Sequence, residues 1–544
     1  MLAEQGTPTS AEADGSVRFI TPPPGAEEHL DAEYDNEPLR FRTVDNILGD
    51  ASLPGQAVRE LDEQLFLASA EEPPTLEASK ADVRWRRAME EQMASIEENK
   101  TWELVDPPVG CKSIGLKWVY KVKKNERGDV VKHKARLVAK GFMQREGIDF
   151  EEVFAPMARM DSVRLLLVLA ATRDWSVHHL DVKSAFLNGE LTEVVHVHQP
   201  PGFVIAREEG KVLRLRKALY GLRQAPRAWN IKLDTTLATF GFKKCSSEHA
   251  LYTRRSKEGI LIVGVYVDDL IVTGSEQQEI NKFKSEMAAK FKMSHLGMLT
   301  YYLGIEVRQG KQAIELCQSA YALKLLERAG LKGCNPTQVP MQEKPKLSTA
   351  EKVDATHYRS LVGGLRYLTH TRPDITFAVG YVSRFMEDPR KNHMAAVKHL
   401  LRYIAGTCAL GLAYPQRKKT SDLHLFGFSD SDIGETLMAE RAPQACAAAA
   451  CHGIWLRRLL KEITGQSVAA PILRIDNKSA IELAKNPIFH NRSKHIDIKF
   501  HFIRDCMERK QVILKQIGTE QQLADMLTKP LGKNNFEKLK SQVD

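Results

Sequence analysis

The chain has 544 residues, of which 43% are hydrophobic, so it can bury more than one core, and its length predicts about two to four domains. It contains no run of about 18 apolar residues, and its eight cysteines form no Cys-x-x-Cys pair. These features argue against a membrane span, a zinc site and a disulfide framework.

Charge is distributed unevenly along the chain. Residues 1–80 contain 17 acidic against 5 basic residues, a net charge of −12, which leaves +21 (+9 minus −12) on residues 81–544. A body this basic favours a polyanionic partner, although solvated surface lysines explain the charge equally well.

The first elements follow an acidic, proline-containing stretch. Residues 1–84 lack sustained periodicity, which predicts a disordered leader. Apolar residues from Trp85 to Ile96 recur at helical spacing and predict the first helix, over 85–99. Residues 118–122 and 135–139 then read as two strands, and together they predict a basic β-hairpin.

Mixed α and β signals continue through the rest of the chain. Residues 161–175 predict a buried helix with Asp161 as its N-cap, and residues 180–189 predict a strand. Residues 358–387 and 391–405 predict helical segments, with Pro373 just past one helix end and Pro389 breaking the second. The strand-like segment 423–428 then opens a last region.

Two adjacent acids, Asp268 and Asp269, interrupt an apolar, β-branched segment, which predicts a hairpin with both carboxylates at its tip. Adjacent carboxylates repel each other unless a divalent cation neutralises them. By itself the pair favours an ordinary turn, because aspartate is a common turn residue. Asp181 lies 87 residues before Asp268 in a strand-like run, and its presence favours a metal site over an ordinary turn. Three acids on two strands suit the two magnesium ions of nucleotidyl transfer.

Five segments, in this order, resemble the polymerase of copia-type retrotransposons. They are residues 134–141 (KARLVAKG), 154–156 (FAP), 181–189 (DVKSAFLNG), 218–227 (ALYGLRQAPR) and 266–270 (YVDDL). The likeness covers about residues 102–307 and continues less densely to the C-terminus. Group II intron maturases and telomerase share the polymerase core, but the first of these segments favours the copia type.

This resemblance implies a reverse transcriptase, an RNA-directed DNA polymerase with an α+β right-hand fold. Its expected partners are an RNA template, a DNA primer, the RNA–DNA hybrid and deoxynucleoside triphosphates. Asp181, Asp268 and Asp269 are implied to be the catalytic ligands of Mg²⁺, with Mn²⁺ as a substitute. Phe186 falls where such enzymes place an aromatic ring that excludes a ribose 2′-hydroxyl, with an ordinary core phenylalanine as the alternative.

Further contacts follow from the same resemblance. The other residues implied to contact the nucleotide are Lys134, Arg136, Lys140, Gly221, Arg223 and Gln224. For the three basic residues of the hairpin, a solvated strand face is an equal alternative. Leu303 and Gly304 lie in a segment that resembles the primer-grip hairpin.

A second set of acids in the C-terminal region resembles part of the ribonuclease H metal site. It comprises Asp430, Asp476 and Asp525, with Asp497 as an alternative to Asp525. Family members carry a longer insert after the first aspartate and a further glutamate ligand. Here alignment puts Glu440 near a family glutamate and Ala442 at the expected ligand position. The resemblance therefore implies an incomplete α/β ribonuclease H-like domain with an unpaired strand edge and no nuclease activity.

The expected organisation has four parts. Residues 1–84 form the leader, 85–335 the fingers and palm, 336–420 a helical thumb or connection, and 421–544 the ribonuclease H-like region, shortened between about 431 and 445. The alternative function is that of an inactive transposon relic that only binds nucleic acid. No membrane partner is expected, and the sequence predicts no oligomeric state. The expected location is cytoplasmic, in a virus-like particle when the element is intact, with the nucleus as the alternative.

Overall fold

The computed structural model describes residues 72–73, 75–110, 112–124, 130–342, 351–416, 423–430, 441–478, 481–482 and 494–543. These residues belong to one compact unit. Most of the leader predicted over 1–84 lies outside the described residues, but helical structure already begins at Leu76, inside that range. None of the described helices is both long and apolar enough to cross a membrane.

Helices occur along the whole described chain and are numbered here in chain order. They are α1 (Leu76–Ala81), α2 (Val83–Glu98), α3 (Met160–Arg173), α4 (Ala225–Thr239), α5 (Gln277–Ala288), α6 (Ser319–Arg328), α7 (Ala355–Leu368), α8 (Thr376–Ser383), α9 (Lys391–Ala405), α10 (Arg441–Thr464), α11 (Lys494–Glu508), α12 (Asp525–Thr528) and α13 (Lys533–Val543). Short 3₁₀ turns span Gly141–Met143, Ala185–Asn188, Pro373–Ile375 and Thr519–Gln521.

The strands are also numbered in chain order. They are β1 (Trp102–Val105), β2 (Leu116–Lys124), β3 (Val130–Ala139), β4 (Val177–Val182), β5 (Glu190–Val197), β6 (Val212–Lys217), β7 (Lys243–Lys244), β8 (Leu251–Arg255), β9 (Ile260–Tyr266), β10 (Asp269–Gly274), β11 (Met293–Met298), β12 (Tyr301–Tyr302), β13 (Ile305–Gln309), β14 (Ala313–Cys317), β15 (Gly411–Pro415), β16 (Phe426–Ser429), β17 (Ile472–Ile475) and β18 (Ile513–Gln516).

The largest sheet has six strands in the order β11-β4-β10-β9-β8-β7, and we call it the central sheet. Its middle strands β9 and β10 are buried over most of their length because both faces are covered. Leu270 and Val272 pack in the main core on one face, whereas Ile271 packs with residues of α3 on the other face. A buried sheet of this kind holds its strand ends rigidly, so side chains at those ends keep fixed positions.

Smaller sheets surround the central sheet. The basic hairpin predicted from the sequence is confirmed, because β2 and β3 pair in antiparallel register from Leu116 opposite Ala139. Strands β1, β6 and β5 form a second sheet, and β12 to β15 form a third. Strands β16, β17 and β18 form a parallel sheet in the C-terminal region.

Three local predictions were wrong. Asp161 is not the N-cap of α3 but lies inside its first turn, where its carboxylate is 3.6 Å from the Arg164 guanidinium. The run 180–189 is not one strand, because β4 ends at Val182 and Ser184 adopts a left-handed φ of 51° that starts a 3₁₀ turn. The last region opens with a shorter strand than predicted, beginning at Phe426.

The helical stretch predicted over 358–387, with a helix end just before Pro373, forms the two helices α7 and α8. They are separated around Pro373, which has no N–H to continue a helix and which begins a 3₁₀ turn. The buried guanidinium of Arg372 forms two hydrogen bonds with the Asp374 carboxylate in this break, at 2.8 and 2.7 Å. The core of these helices also contains Met526 and Phe536, so the end of the chain packs on them.

The edge strand predicted for the C-terminal region is present. Among the described residues β16 pairs with β17 alone, and Phe426 is 51% exposed. The Arg474 guanidinium lies over the rings of Phe426 and Phe428, at 4.9 and 5.3 Å from their centroids. The cation and its aliphatic stem therefore cover part of the apolar face of this three-stranded sheet.

Candidate active site and a second acid cluster

The three acids predicted to bind metal meet at one end of the central sheet. Asp181 in β4 lies directly opposite Asp269, the first residue of β10. Asp268 lies in the turn between β9 and β10, and its carbonyl oxygen accepts a hydrogen bond from the Val182 N–H at 2.9 Å. The fold therefore brings together residues that are 87 positions apart in the sequence.

The turn that carries Asp268 has an unusual backbone. Val267 has a φ of 56°, a left-handed conformation that β-branched residues rarely adopt. The buried indole of Trp229 donates a hydrogen bond of 2.7 Å to the Val267 carbonyl oxygen. This contact helps to hold the strained turn, in which Asp268 lies and which Asp269 directly follows.

The three carboxylates influence one another. Burial and the neighbouring carboxylates of Asp269 and Asp181 raise the pKa of Asp268, and the Arg136 guanidinium opposes that rise. Asp181 forms an ion pair with Lys183, and Asp269 Oδ1 lies 2.8 Å from His179 Nε2. Asp181, Asp268 and Asp269 offer half-buried carboxylate oxygens, the hard ligands that Mg²⁺ prefers. Among the described residues, three ligand atoms within 4.8 Å of one another occur only in a second cluster, described below.

Two aromatic rings and an arginine lie next to these acids. The ring of the buried Phe186 is 5.1 Å from that of Tyr220, and the Arg136 guanidinium is 5.4 Å from the Tyr220 ring. Burial raises the pKa of Tyr220 to about 12; the charge of Arg136 works against this rise, and those of Asp268 and Asp181 add to it. Arg136 Nε is buried and has no hydrogen-bond partner. Sequence reasoning did not single out Tyr220, although its position directly before Gly221 was a usable signal.

Gly221 makes a close backbone approach, as its sequence context predicts, but to another part of the protein. Its φ is 89°, and a Cβ at this position would collide with the carbonyl oxygen of Ala139 at the end of β3. A Cβ on Gly141 would in turn collide with the Gly221 carbonyl oxygen. Only glycines allow this contact, which joins the β3 segment to the turn before α4.

The basic residues of β3 lie on one face of the strand. Ala135, Leu137 and Ala139 are buried on the opposite face, so the hairpin has a packed side and a more open side. The residues on the open side that were predicted to contact nucleotide are Lys134, Arg136 and Lys140.

Arg223 and Gln224 serve mainly to hold the loop that follows β3. Gln224 is buried; its amide donates to the Asp149 carbonyl oxygen at 2.8 Å and accepts from Gln144 at 2.9 Å. Arg223 is exposed, but its Nε donates to the Gly141 carbonyl oxygen at 3.2 Å. The Gln224 amide thus donates one hydrogen bond and accepts one within this loop, and its nucleotide contact stays a prediction.

The predicted primer-grip residues form the turn between β12 and β13. Leu303 and Gly304 both have positive φ, 47° and 77°, as in the two-residue turns that suit a tight hairpin. The Tyr367 hydroxyl of α7 donates to the Leu303 carbonyl oxygen, and a Cβ on Gly304 would collide with that hydroxyl. Helix α7 therefore braces this turn.

Comparison with known proteins identifies the family. A family model described as reverse transcriptase (RNA-dependent DNA polymerase) matches residues 99–343. The chain is 36% identical to the retrovirus-related Pol polyproteins from transposons RE1 and RE2 of Arabidopsis thaliana, over 88% of this chain and 35% of each relative. It is also 35% identical to the putative transposon Ty5-1 protein of Saccharomyces cerevisiae, covering 47% of this chain and 83% of that protein.

The chain belongs to the copia-type retrotransposon reverse transcriptases. The family and the α+β fold predicted from the sequence are thereby confirmed. The chain spans about a third of the length of the plant Pol polyproteins. Among solved structures, it is similar to a foamy viral protease-reverse transcriptase in complex with an RNA/DNA hybrid, at 10% identity and a TM-score of 0.47. That match covers 80% of this chain and 54% of the viral one.

The second acid cluster of the chain lies in the C-terminal region. Asp430 and Asp476 follow the adjacent parallel strands β16 and β17, and Asp525 begins α12. Ligand oxygens of these three residues all lie within 4.8 Å of one another. The structure thus brings together the three acids predicted as a partial ribonuclease H site. Glu440 and the side chains of Ala442 and Asp497 lie outside the described residues.

A lysine that the sequence reasoning missed contacts this second cluster. Lys529 Nζ is 2.9 Å from Asp525 Oδ1 and 3.3 Å from Asp430 Oδ1. Burial raises the pKa of Asp525, Lys529 lowers it, and the Asp430 and Asp476 carboxylates raise it further. The spacing of Lys529, four residues after Asp525 on a short helix, was the signal that could have revealed it.

Helix α10 attaches the C-terminal region to the central sheet. Leu459 and Leu460 pack in one buried cluster with Leu166 of α3 and with residues of the sheet. The Trp455 indole donates a hydrogen bond of 2.9 Å to the Ser247 carbonyl oxygen. The two acid clusters therefore belong to regions that share a packed apolar interface.

Proposed function

We propose that this chain extends the 3′-hydroxyl of a DNA primer with deoxynucleoside triphosphates, copying an RNA or DNA template by a two-metal mechanism. The observation that carries the proposal is the meeting of Asp181, Asp268 and Asp269 at the end of a buried sheet. These residues would hold two Mg²⁺ or Mn²⁺ ions, which lower the charge on the triphosphate and favour the attacking alkoxide. The raised pKa of Asp268 reflects a carboxylate that a cation would stabilise.

Arg136 supports the binding of a triphosphate beside these acids. Its buried Nε has no hydrogen-bond partner, and a guanidinium offers forked donors that match phosphate oxygens. Lys134 and Lys140, on the same face of β3, add positive charge. In this proposal Arg223 and Gln224 shape the loop, and Gly221 joins it to β3.

Phe186 and Tyr220 form the wall of the proposed nucleotide site. Phe186 is only 5% exposed, so it is both a core residue and a rigid surface against which a deoxyribose can rest. A ribose would add a hydroxyl group in a space that the Phe186 ring fills. This is the basis on which we assign to Phe186 the selection of deoxynucleotides.

These positions are the basis for assigning polymerase domains to the chain. We assign the fingers and palm to residues 85–335, the helical thumb or connection to 336–420 and a shortened ribonuclease H-like region to 421–544. Leu303 and Gly304 would form a primer-grip turn, braced by Tyr367 of α7. The substrates in this proposal are an RNA template, a DNA primer and their hybrid.

We further propose that the ribonuclease H-like region does not cleave RNA. Among the described residues its metal cluster consists of three aspartates, and two of them contact the Lys529 ammonium. A two-metal nuclease site needs enough carboxylate charge for two cations. Degradation of the RNA strand of a hybrid by this chain, with loss of that activity in Asp476→Asn, would contradict this proposal.

Primer extension on an RNA template with Mg²⁺ or Mn²⁺ tests the polymerase proposal. We expect extension by the unmodified chain and none above background by Asp268→Asn. Asp174→Asn is the matched control, because Asp174 is exposed and has a left-handed φ of 57° that asparagine also tolerates. A folded, hybrid-binding chain that extends no primer would instead be an inactive nucleic-acid-binding relic.

A further inference from the structure

His179 lies between the proposed catalytic acids and the hairpin formed by β12 and β13. It precedes Asp181 by two residues in β4, so both side chains lie on the same face of the strand. It is also the diagonal cross-strand neighbour of Asp269, which faces Asp181. His179 Nε2 lies 2.8 Å from Asp269 Oδ1, and the side chains are 12% and 30% exposed.

Tyr302 continues this contact on the other side of His179. The two rings meet edge to face, with centroids 5.8 Å apart and planes at 82°. Tyr302 is 3% exposed, and its hydroxyl is buried without a hydrogen-bond partner. Burial, and then the charge of Asp269, raise the pKa of this hydroxyl well above its usual value, so it stays a hydrogen-bond donor.

The same residue is connected to helix α7. Tyr302 directly precedes the turn residues Leu303 and Gly304, and the Tyr367 hydroxyl holds the Leu303 carbonyl oxygen. A continuous series of contacts therefore runs from Asp269 through His179 and Tyr302 to α7. Asp269 is thus held on one side by the hairpin, while Asp268 faces Arg136 and Tyr220 on the other side.

We infer that His179 and Tyr302 are positioning residues that fix the Asp269 carboxylate and so set the spacing of the metal-binding acids. The inference rests on the proposed polymerase function. His179 supplies a ring nitrogen that restrains one Asp269 oxygen and leaves the other available. Tyr302 fills the space behind the imidazole and keeps its orientation, as residues behind a metal ligand do in other metal sites.

The test measures Mn²⁺ binding to the full chain without nucleic acid, by electron paramagnetic resonance of the free ion. All variants carry Asp476→Asn so that the second acid cluster contributes little. We expect His179→Leu to weaken Mn²⁺ binding by about 10- to 100-fold, the range found when groups that orient metal ligands are removed. His179→Gln keeps a side-chain donor, and binding should stay within about 3-fold of the parent.

Two further variants keep the test decisive. Tyr302→Leu removes the ring that packs against the imidazole and should weaken Mn²⁺ binding in the same direction as His179→Leu. His295→Leu is the matched control, because His295 is an exposed histidine in the neighbouring strand β11, and it should bind as the parent does. If His179→Leu does not fold, the comparison of Tyr302→Leu with His179→Gln decides.

Steady-state extension separates a positioning role from general damage to the protein. His179→Leu should lower kcat with little change in the KM for deoxynucleoside triphosphate, and excess Mn²⁺ should restore part of the loss. Loss of Mn²⁺ binding in Asp268→Asn together with parent-like binding in His179→Leu would overturn the inference. Failure of the unmodified chain to extend a primer would instead overturn the polymerase proposal, whichever way His179→Leu behaves.

Discussion

The two acid clusters of this chain are built alike but are neutralised differently. In both, strand ends bring together three aspartates that are distant in sequence. In the central sheet, Asp181 and Asp269 each have a neighbouring cationic or imidazole group, and Arg136 still has a buried Nε without a partner. In the C-terminal cluster, Lys529 contacts two of the acids directly. Whether a group of acids indicates a metal site therefore depends also on the cations that surround it.

The interface between the two regions should show the largest effect on stability. Leu459 of α10 is fully buried against the central sheet, so Leu459→Ala should lower the free energy of unfolding by about 2–5 kcal/mol. Leu323→Ala, at a position that is 53% exposed, should change it by less than about 0.5 kcal/mol. Urea denaturation measures both. If Leu459→Ala leaves the free energy of unfolding unchanged, the C-terminal region and the central sheet do not stabilise each other, and the two acid clusters belong to independent units.

The cations of the two clusters should differ in their effect on catalysis. Arg136→Leu should raise the KM for deoxynucleoside triphosphate about 10- to 100-fold, because a charged hydrogen bond contributes about 1.5–3 kcal/mol. Lys529→Leu should leave primer extension unchanged. Lys132→Leu, at an exposed position on the same strand as Arg136, is the matched control. Equal losses in Arg136→Leu and Lys132→Leu would mean that the hairpin contributes only general positive charge.

Lys529 should matter for the stability of the C-terminal region. Lys529→Leu leaves three neighbouring carboxylates without this cation, so it should lower the free energy of unfolding by about 1–3 kcal/mol. Added Mg²⁺ should restore part of that loss if the three aspartates can bind a cation. Thermal unfolding with and without Mg²⁺ measures both effects. Unchanged stability in Lys529→Leu would show that the lysine is not needed to neutralise the cluster.

The smallest effect concerns Asp268 in the absence of metal. Its pKa is raised in the folded chain, chiefly by burial and then by Asp269, so the folded state binds this proton more tightly than the unfolded state does. The contribution of Asp268 to stability is therefore favourable at low pH and is lost as pH rises through the folded-state pKa. In EDTA at neutral pH, Asp268→Asn should be slightly more stable than the unmodified chain. A decrease in its thermal unfolding midpoint would contradict the assigned direction.

Local patterns predicted some elements well and others poorly. Strong periodicity predicted α2 and the β2–β3 hairpin, and the apolar run around Asp268 predicted the β9–β10 hairpin. The run from 180 to 189 looked like one strand, but the left-handed backbone of Ser184 ends it. Asp161 was predicted to cap α3 but is the second residue of that helix. Such errors arise because hydrophobic pattern does not record where a tertiary contact bends the chain.

The sequence by itself determined the family, the order of the motifs and the identity of the acids, because these depend on residue types and spacing along the chain. The side chains that surround these acids became visible only in the tertiary structure. Tyr220 next to Phe186, His179 held between Asp269 and Tyr302, and Lys529 against Asp525 all depend on how strands and helices pack. The physical reason is that a strand pattern shows which residues share a face but not which side chains of distant elements meet that face.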